Sequence, residues 1–123
     1  MRCATWPMTL GSALVVLLVA CGRGGAPAGE AEGARRGREI YAFEGCGSCH
    51  GQQQQGTKNA PPLAGLRKHW TADELARYLR QPGSYPKDGR LRRVAERFPA
   101  EMAGLPAAEP GRLHDLVTFL LSR

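Results

Sequence analysis

The stretch Cys46-Gly47-Ser48-Cys49-His50 decides how the rest of the chain is interpreted. A Cys-x-x-Cys-His string is typical of a c-type haem attachment site, because each cysteine can form a thioether to one vinyl group of the same porphyrin. The histidine that follows lies where its imidazole can bind the iron from the proximal side. The motif therefore predicts one haem c, covalently bound through Cys46 and Cys49, with His50 as an axial ligand of the iron.

Two other kinds of site use part of this pattern. A thioredoxin-like redox pair requires a βαβ setting, and the sequence shows no such alternation of strands and helices. A structural zinc site usually requires four ligands, and no cysteine follows Cys49 in the chain. Both interpretations are weaker than a haem site.

Length and charge limit the size of the protein and its possible partners. A chain of 123 residues forms one domain at most, and its formal net charge of +6 favours acidic partners or anionic surfaces. The basic motifs interleaved with aromatic residues that mark RNA-binding proteins are missing, as are the recognition-helix patterns of DNA-binding proteins. We therefore expect no nucleic-acid partner.

The first 20 residues resemble an export signal. Arg2 precedes an apolar run over residues 10–20 that is too short to span a bilayer as a mature helix. The run ends in Leu-Val-Ala-Cys21, which is similar to the bacterial lipobox, so we expect cleavage before Cys21 and diacylation of that cysteine. The alternative, an ordinary secretory signal, would leave an unpaired thiol in an exported protein. The expected location is therefore a bacterial membrane, with the lipid-anchored chain facing the periplasm or the cell exterior.

The remainder divides into a tether and a domain. Residues 21–33 are rich in glycine, alanine and proline and offer no apolar face, so they are predicted to form a lipidated N-terminus and flexible tether. Residues 34–123 are predicted to form the folded domain. At that size a hydrophobic core alone is marginal, and a buried covalent haem would supplement it.

About four helices and no strands are predicted in this domain, so the expected fold class is all-α, packed around the haem. The second helix has the clearest start signal, because Thr71 and Glu74 occupy the positions of a capping box. The others follow from apolar residues that recur at helical spacing. The predicted helices cover residues 35–45, 72–81, 90–98 and 110–122.

The loop after the motif contains a candidate partner for His50. An axial histidine usually donates its other ring N–H to an acceptor that fixes the orientation of the ring. Pro61 and Pro62 lack a backbone N–H but have carbonyl groups that can accept this bond. The four glutamines at residues 52–55 are predicted to be solvent-exposed.

The sixth position on the iron decides between electron transfer and ligand chemistry. Once the signal is removed, Met102 is the sole methionine, and it lies in a turn-rich loop. Ligation by His69 or His114, or an open site, is the alternative. Because a Met/His pair raises the potential into the range of electron carriers, Met102 is the predicted second iron ligand.

The order of these motifs resembles that of the class I (monohaem) cytochrome c family over residues 34–123. The resemblance implies that the first and last helices cross near Gly37, Tyr41 and Phe119. It also implies that a proline carbonyl supports His50 and that Met102 is the distal ligand. The matching positions are Gly37, Tyr41, Cys46, Cys49, His50, Pro61, Leu63, Gly65, Met102 and Phe119.

The predicted function is that of a membrane-tethered c-type cytochrome that carries single electrons between respiratory or other redox partners outside the cytoplasm. Neither enzymatic activity nor a small-molecule substrate is expected. The partners are expected to be redox proteins with acidic docking surfaces. Two alternatives remain: a haem peroxidase or ligand sensor with an open distal site, and a cytochrome subunit fixed in a larger oxidoreductase complex. The predicted docking patch consists of Lys87, Arg90, Arg92, Arg93 and Arg97.

Overall fold

The structure is a computed structural model, and it describes residues 27–123. Within that range the chain forms five α-helices and one 3-10 helix and contains no strand, which confirms the all-α fold class. The predicted signal, residues 1–20, and the predicted lipidation site Cys21 lie outside the described residues. The helices are α1, Ala28–Phe43; α2, Gly47–His50; α3, Ala72–Arg80; α4, Gly89–Arg97; and α5, Pro110–Leu121, and the 3-10 helix is Leu66–Lys68.

Helix α1 starts earlier than the sequence predicted. It begins at Ala28, so residues 28–33, which were predicted as part of the flexible tether, are helical. Glu32 pairs with Arg35 and Arg36 at the spacing that stabilises a helix surface. Gly33 is buried in the contact with α5, so tertiary packing also holds this first part of the helix in place.

Helices α1 and α5 form the main packing interface of the domain, and they cross at Gly37. A methyl group at this position would overlap the carbonyl oxygen of Asp115 and the Cβ atom of Phe119. One turn later, the ring of Tyr41 packs edge-on against Phe119 with 5.6 Å between centroids. The crossing that the family resemblance implied is therefore confirmed.

Helices α3 and α4 are both capped by side chains. Thr71 accepts a hydrogen bond from the backbone N–H of Glu74, and the Glu74 carboxylate accepts one from the backbone N–H of Thr71, so the predicted capping box is present. Helix α4 is capped by Asp88, which accepts from the backbone N–H of Leu91 at 2.8 Å. The capping box fixes the start of α3 at Ala72, where it was predicted, and the bounds of α4 differ from the prediction by one residue.

The core lies between α5, α1 and α3, and the side chains of the haem motif reach its edge. Leu116 of α5 is the most buried apolar side chain, at 1% exposed. Cys46, Leu63 and Met102 are partly buried against the same cluster. None of the helices between residues 27 and 123 has the length and apolar character needed to cross a bilayer. The buried core consists of Ile40, Tyr41, Trp70, Leu75, Leu79, Leu91, Leu113, Leu116, Val117, Phe119 and Leu120.

Candidate functional site

The two cysteines of the motif lie on a single helical turn. Helix α2 is four residues long, with Cys46 as its N-cap and Cys49 and His50 at its end. Both thiols are free; Cys49 is exposed and Cys46 is partly buried. The chain leaves the turn through Gly51 at a φ of 83°, a conformation that glycine adopts without steric cost. This local geometry presents two thiols and an imidazole from one short segment.

His50 is held by the partner that the sequence suggested. Its ring is 9% exposed, and Nδ1 lies 2.8 Å from the carbonyl oxygen of Pro61. Because a carbonyl can only accept, the ring proton must be on Nδ1, which leaves the lone pair of Nε2 for a metal. Pro62 was the other candidate; it is exposed and makes no such bond. The hydrogen bond to Pro61 therefore fixes both the tautomer and the orientation of the imidazole.

Four further hydrogen bonds close the loop around the motif, and sequence reasoning missed them. They join positions several residues apart, and no sequence pattern marked these positions as partners. Burial raises the pKa of Tyr41 to about 12, so its hydroxyl stays protonated and remains a donor. The bonds are Gly56 N–H to His50 O at 2.7 Å, Thr57 Oγ1 to Cys49 O at 2.6 Å, Leu63 N–H to Gln54 O at 3.0 Å, and Tyr41 OH to Gly51 O at 2.8 Å.

Gln54 is buried, although all four glutamines at residues 52–55 were predicted to be solvent-exposed. The neighbouring glutamines are exposed as predicted, but the Gln54 side chain is only 2% exposed, and neither amide atom has a hydrogen-bond partner among the described residues. Its φ of 61° is also the only positive value at a non-glycine residue between residues 27 and 123. The backbone, bonded to Gly51 and Leu63, determines this burial. The unpaired buried amide and the positive φ of Gln54 therefore both lower the stability of the loop that holds His50.

The structure places Met102 in the segment between α4 and α5, partly buried against the core cluster. Met102 also lines a surface cavity of about 450 Å³ beside the C-terminal end of α3, and His50 is not part of that lining. His69 and His114 are both exposed. Of the three side chains considered for the sixth position, Met102 alone is not exposed to solvent.

The donor set fits a covalently bound haem c better than a redox-active dithiol. Burial raises the pKa of the Cys46 thiol, whereas redox-active Cys-x-x-Cys sites depend on a lowered thiol pKa. The two free thiols on one turn suit thioether formation. The imidazole, with Nδ1 bound to a carbonyl, keeps Nε2 for iron.

An all-α fold that presents two free thiols and a carbonyl-held imidazole from one helical turn defines a small haem-binding protein of the c type. A family model described as cytochrome c matches residues 34–123. The chain therefore belongs to the cytochrome c family, whose members bind haem and generally carry electrons, and this confirms the resemblance inferred from the order of the motifs. A search of curated proteins and a search of solved structures each give no significant match.

Proposed function

We propose that this cytochrome c is an exported, membrane-tethered carrier that passes single electrons between redox proteins outside the cytoplasm. The observation that carries the proposal is the hydrogen bond between His50 Nδ1 and Pro61 O. It holds a buried imidazole in the tautomer that an iron ligand requires, one residue after a free thiol. Membership of a family whose members generally carry electrons favours transfer of electrons over turnover of a substrate, and the preformed imidazole supplies the iron ligand that a haem carrier requires.

Each residue of the site has a distinct part in this proposal. Cys46 and Cys49 would form the two thioethers to haem c, and His50 would bind its iron through Nε2. Pro61 keeps the imidazole oriented and increases its basicity through the hydrogen bond. Met102 would supply a second ligand to the iron through its thioether sulfur. When bound, haem c supplies a one-electron Fe(II)/Fe(III) couple.

Export and anchoring rest on the sequence of the first 21 residues. The apolar run over residues 10–20 ends at Cys21, where cleavage and diacylation would leave a lipid at the mature N-terminus. Only residues 22–27 then separate the lipid from the start of α1 at Ala28. The proposed carrier is therefore held close to its membrane, and its redox partners must be reachable from that position.

A second candidate function is a haem peroxidase or ligand sensor. It is favoured by one observation, which is that Met102 borders a cavity open to solvent in a segment outside the helices. A thioether placed there could leave the iron and admit an external ligand. The two candidates differ in whether the sixth position is closed in the native protein.

The proposal is tested by expressing the full chain together with a cytochrome c maturation system. On a denaturing gel, haem should migrate with the unmodified chain and should be lost from the Cys46→Ser/Cys49→Ser variant, because only a covalent bond survives denaturation. The native protein should also titrate as a single reversible one-electron couple. Haem that dissociates from the unmodified chain in denaturant would refute covalent attachment, and a couple that is not reversible would refute the carrier function.

A further inference from the structure

The loop that presents Pro61 to His50 is joined to the haem motif by a second side chain, that of Thr57. Its hydroxyl donates to the carbonyl oxygen of Cys49 at 2.6 Å, within the usual range for an O–H···O bond. His50, the next residue of the motif, lies with Nδ1 2.8 Å from the carbonyl oxygen of Pro61. Two adjacent motif residues are therefore tied to the two ends of one short segment, residues 57–61.

A closed turn keeps Thr57 at a fixed distance from Pro61. The backbone N–H of Thr57 donates to the carbonyl of Ala60 at 3.0 Å, and the Thr57 hydroxyl accepts from the backbone N–H of Asn59 at 3.0 Å. The hydroxyl thus accepts a bond inside the turn and donates its proton to Cys49, so the direction of both bonds is determined. A displacement of the turn away from the motif would move the Pro61 carbonyl with it.

The other hydrogen bonds that join this loop to the motif, in the described part of the chain, are between backbone groups. Gly56 donates its N–H to the carbonyl of His50 at 2.7 Å. The backbone of Gly56 also packs against Pro61 and Pro62, since a Cβ atom on this glycine would lie 2.6 Å from the Pro62 nitrogen. A variant that changes only the Thr57 side chain retains these contacts. The role of Thr57 can therefore be separated from the overall closure of the loop.

We propose that Thr57 is a positioning residue for the axial histidine, because its hydroxyl holds the Pro61 carbonyl on Nδ1 of His50 and thereby helps to set the reduction potential. The inference rests on the proposed role of His50 as an iron ligand and adds a residue that tunes this ligand. A hydrogen bond from Nδ1 makes the imidazole more basic, and a more basic ligand favours Fe(III). Loss of the Thr57 hydroxyl weakens the bond to Pro61 and so raises the potential.

The carbonyl of Cys49 that loses its donor does not cancel this effect. An unpaired carbonyl oxygen in the motif would favour Fe(III) and lower the potential. The bond between Thr57 and Cys49 lies at the exposed surface, however, so water replaces the hydroxyl as the donor. Water satisfies the carbonyl but does not join the turn to the motif, and the effect on the position of Pro61 is what is left.

The test compares two variants of the full, haem-loaded chain. Thr57→Val keeps the shape of the side chain without its hydroxyl, and Thr57→Ser keeps the hydroxyl. With isotope-labelled histidine, NMR of the reduced protein, taken as its carbon monoxide complex if the sixth position is open, gives the rate at which the His50 Nδ1 proton exchanges with solvent. Thr57→Val should speed this exchange about fivefold, the factor that one net hydrogen bond of ordinary strength represents. Spectroelectrochemical titration should show a higher potential for Thr57→Val, and Thr57→Ser should reverse most of both changes.

Thr118→Val is the matched control. The Thr118 hydroxyl also donates to a backbone carbonyl, that of His114 at 2.9 Å, but it does so within α5. This variant should leave the exchange of the His50 Nδ1 proton and the potential unchanged. Equal effects of the two valine variants would overturn the proposal, because loss of any threonine hydroxyl would then explain them. A Thr57→Val protein with a lower urea midpoint but the exchange rate and potential of the unmodified protein would also overturn it, since Thr57 would then be structural only.

Failure of the proposed function and failure of this inference give different results. An unmodified protein without covalent haem, or without a protected Nδ1 proton on His50, would refute the assignment of the axial ligand before any variant is made. An unmodified protein with both features, matched in exchange rate and potential by Thr57→Val, would refute the role of Thr57 alone. If Thr57→Val does not bind haem during maturation, Thr57→Ala carries the same comparison, with Thr118→Ala as its control.

Discussion

At the scale of single residues, Met102 is the proposed iron ligand that would decide whether the iron can bind external ligands. Thioether ligation stabilises Fe(II) relative to a second imidazole and closes the sixth position to external ligands. Met102→Ala should therefore lower the reduction potential and allow the reduced protein to bind carbon monoxide. Met102→His should keep the iron six-coordinate at a lower potential than that of the unmodified protein.

Both variants are measured by spectroelectrochemical titration with and without carbon monoxide. A potential unchanged in Met102→Ala would show that the thioether is not on the iron. The exposed His69 and His114 then become the ligands to replace, each by alanine, in the same assay.

Gln54 gives the second prediction at this scale. Its buried amide has no partner among residues 27–123, and burial of an unpaired polar group costs about 1–3 kcal/mol. Gln54→Met keeps the length of the side chain and removes both polar atoms, so it should raise the free energy of unfolding of the haem-loaded protein by about 1–2 kcal/mol. Urea denaturation followed in the visible spectrum measures this. The exposed neighbour provides the control, Gln53→Met, which should change the free energy by less than about 0.5 kcal/mol.

A loss of stability in Gln54→Met would contradict this account, because it would mean that the amide is hydrogen-bonded in the native protein.

The contrast between Gln54 and His50 also shows what sequence can predict at single residues. The roles of Cys46, Cys49 and His50 follow from adjacent positions, and a carbonyl acceptor for His50 was expected nearby. The burial of Gln54 depends on backbone hydrogen bonds to Gly51 and Leu63 and on a positive φ. The sequence does not indicate this φ, because the residue is not a glycine.

At the scale of helices, the α1–α5 crossing holds the domain together, and its closest contact is at Gly37. Gly37→Ala would drive a methyl group into the carbonyl of Asp115, so the helices must separate. We expect a loss of about 3 kcal/mol in the free energy of unfolding of the haem-loaded protein, in the upper part of the range for overpacked sites. The same urea assay measures the loss.

Gly29→Ala is the control in the same helix, since a Cβ atom at Gly29 would meet nothing within 4 Å. It should be neutral or slightly stabilising because alanine favours helix. If the two variants behaved alike, helix propensity and not the crossing would govern the effect, and the packing described for α1 and α5 would be wrong.

Local signals predicted the helices well where the signal lies within the helix or next to it. Thr71 and Glu74 set the start of α3, and the apolar stripe of α5 gave its bounds to within one residue. The start of α1 was wrong because residues 28–33 have the composition of a linker, and their helix is stabilised by the burial of Gly33 against α5. The Asp88 cap was visible in the sequence, since aspartate is a preferred residue immediately before a helix.

At the scale of the whole molecule, the tertiary structure decides which charged side chains are ion-paired and which of them share a surface. Of the residues predicted to form the docking patch, Arg90 lies 3.9 Å from Asp88, whereas Lys87, Arg92, Arg93 and Arg97 are exposed and form no ion pair with residues 27–123. Lys58 was not in the predicted docking patch, but it lines the same surface groove as Arg97, which has a volume of about 370 Å³. Side chains separated by tens of residues meet only through the tertiary structure, so a charge patch read from one helix identifies the sign of the surface and not its members.

Anchoring also belongs to this scale, and it is tested on the full chain. If Cys21 is lipidated, Cys21→Ser should move the haem domain from the membrane fraction to the soluble fraction, or leave an uncleaved precursor. The visible spectrum of any domain that matures should not change, because the residues proposed to hold the haem, Cys46, Cys49, His50 and Met102, are unchanged. Fractionation with haem staining measures the shift. An unmodified protein found in the soluble fraction after export would refute the lipid anchor.

The central claim is that His50 and Met102 close both axial positions of a covalently bound haem in an electron carrier. The most direct measurement is the far-red absorption of the unmodified oxidised protein, combined with carbon monoxide binding to the reduced protein. We predict a weak sulfur-to-iron band in the oxidised form and no binding of carbon monoxide by the reduced form. Absence of the band together with ready binding of carbon monoxide would contradict this account and make the peroxidase or sensor function the better one.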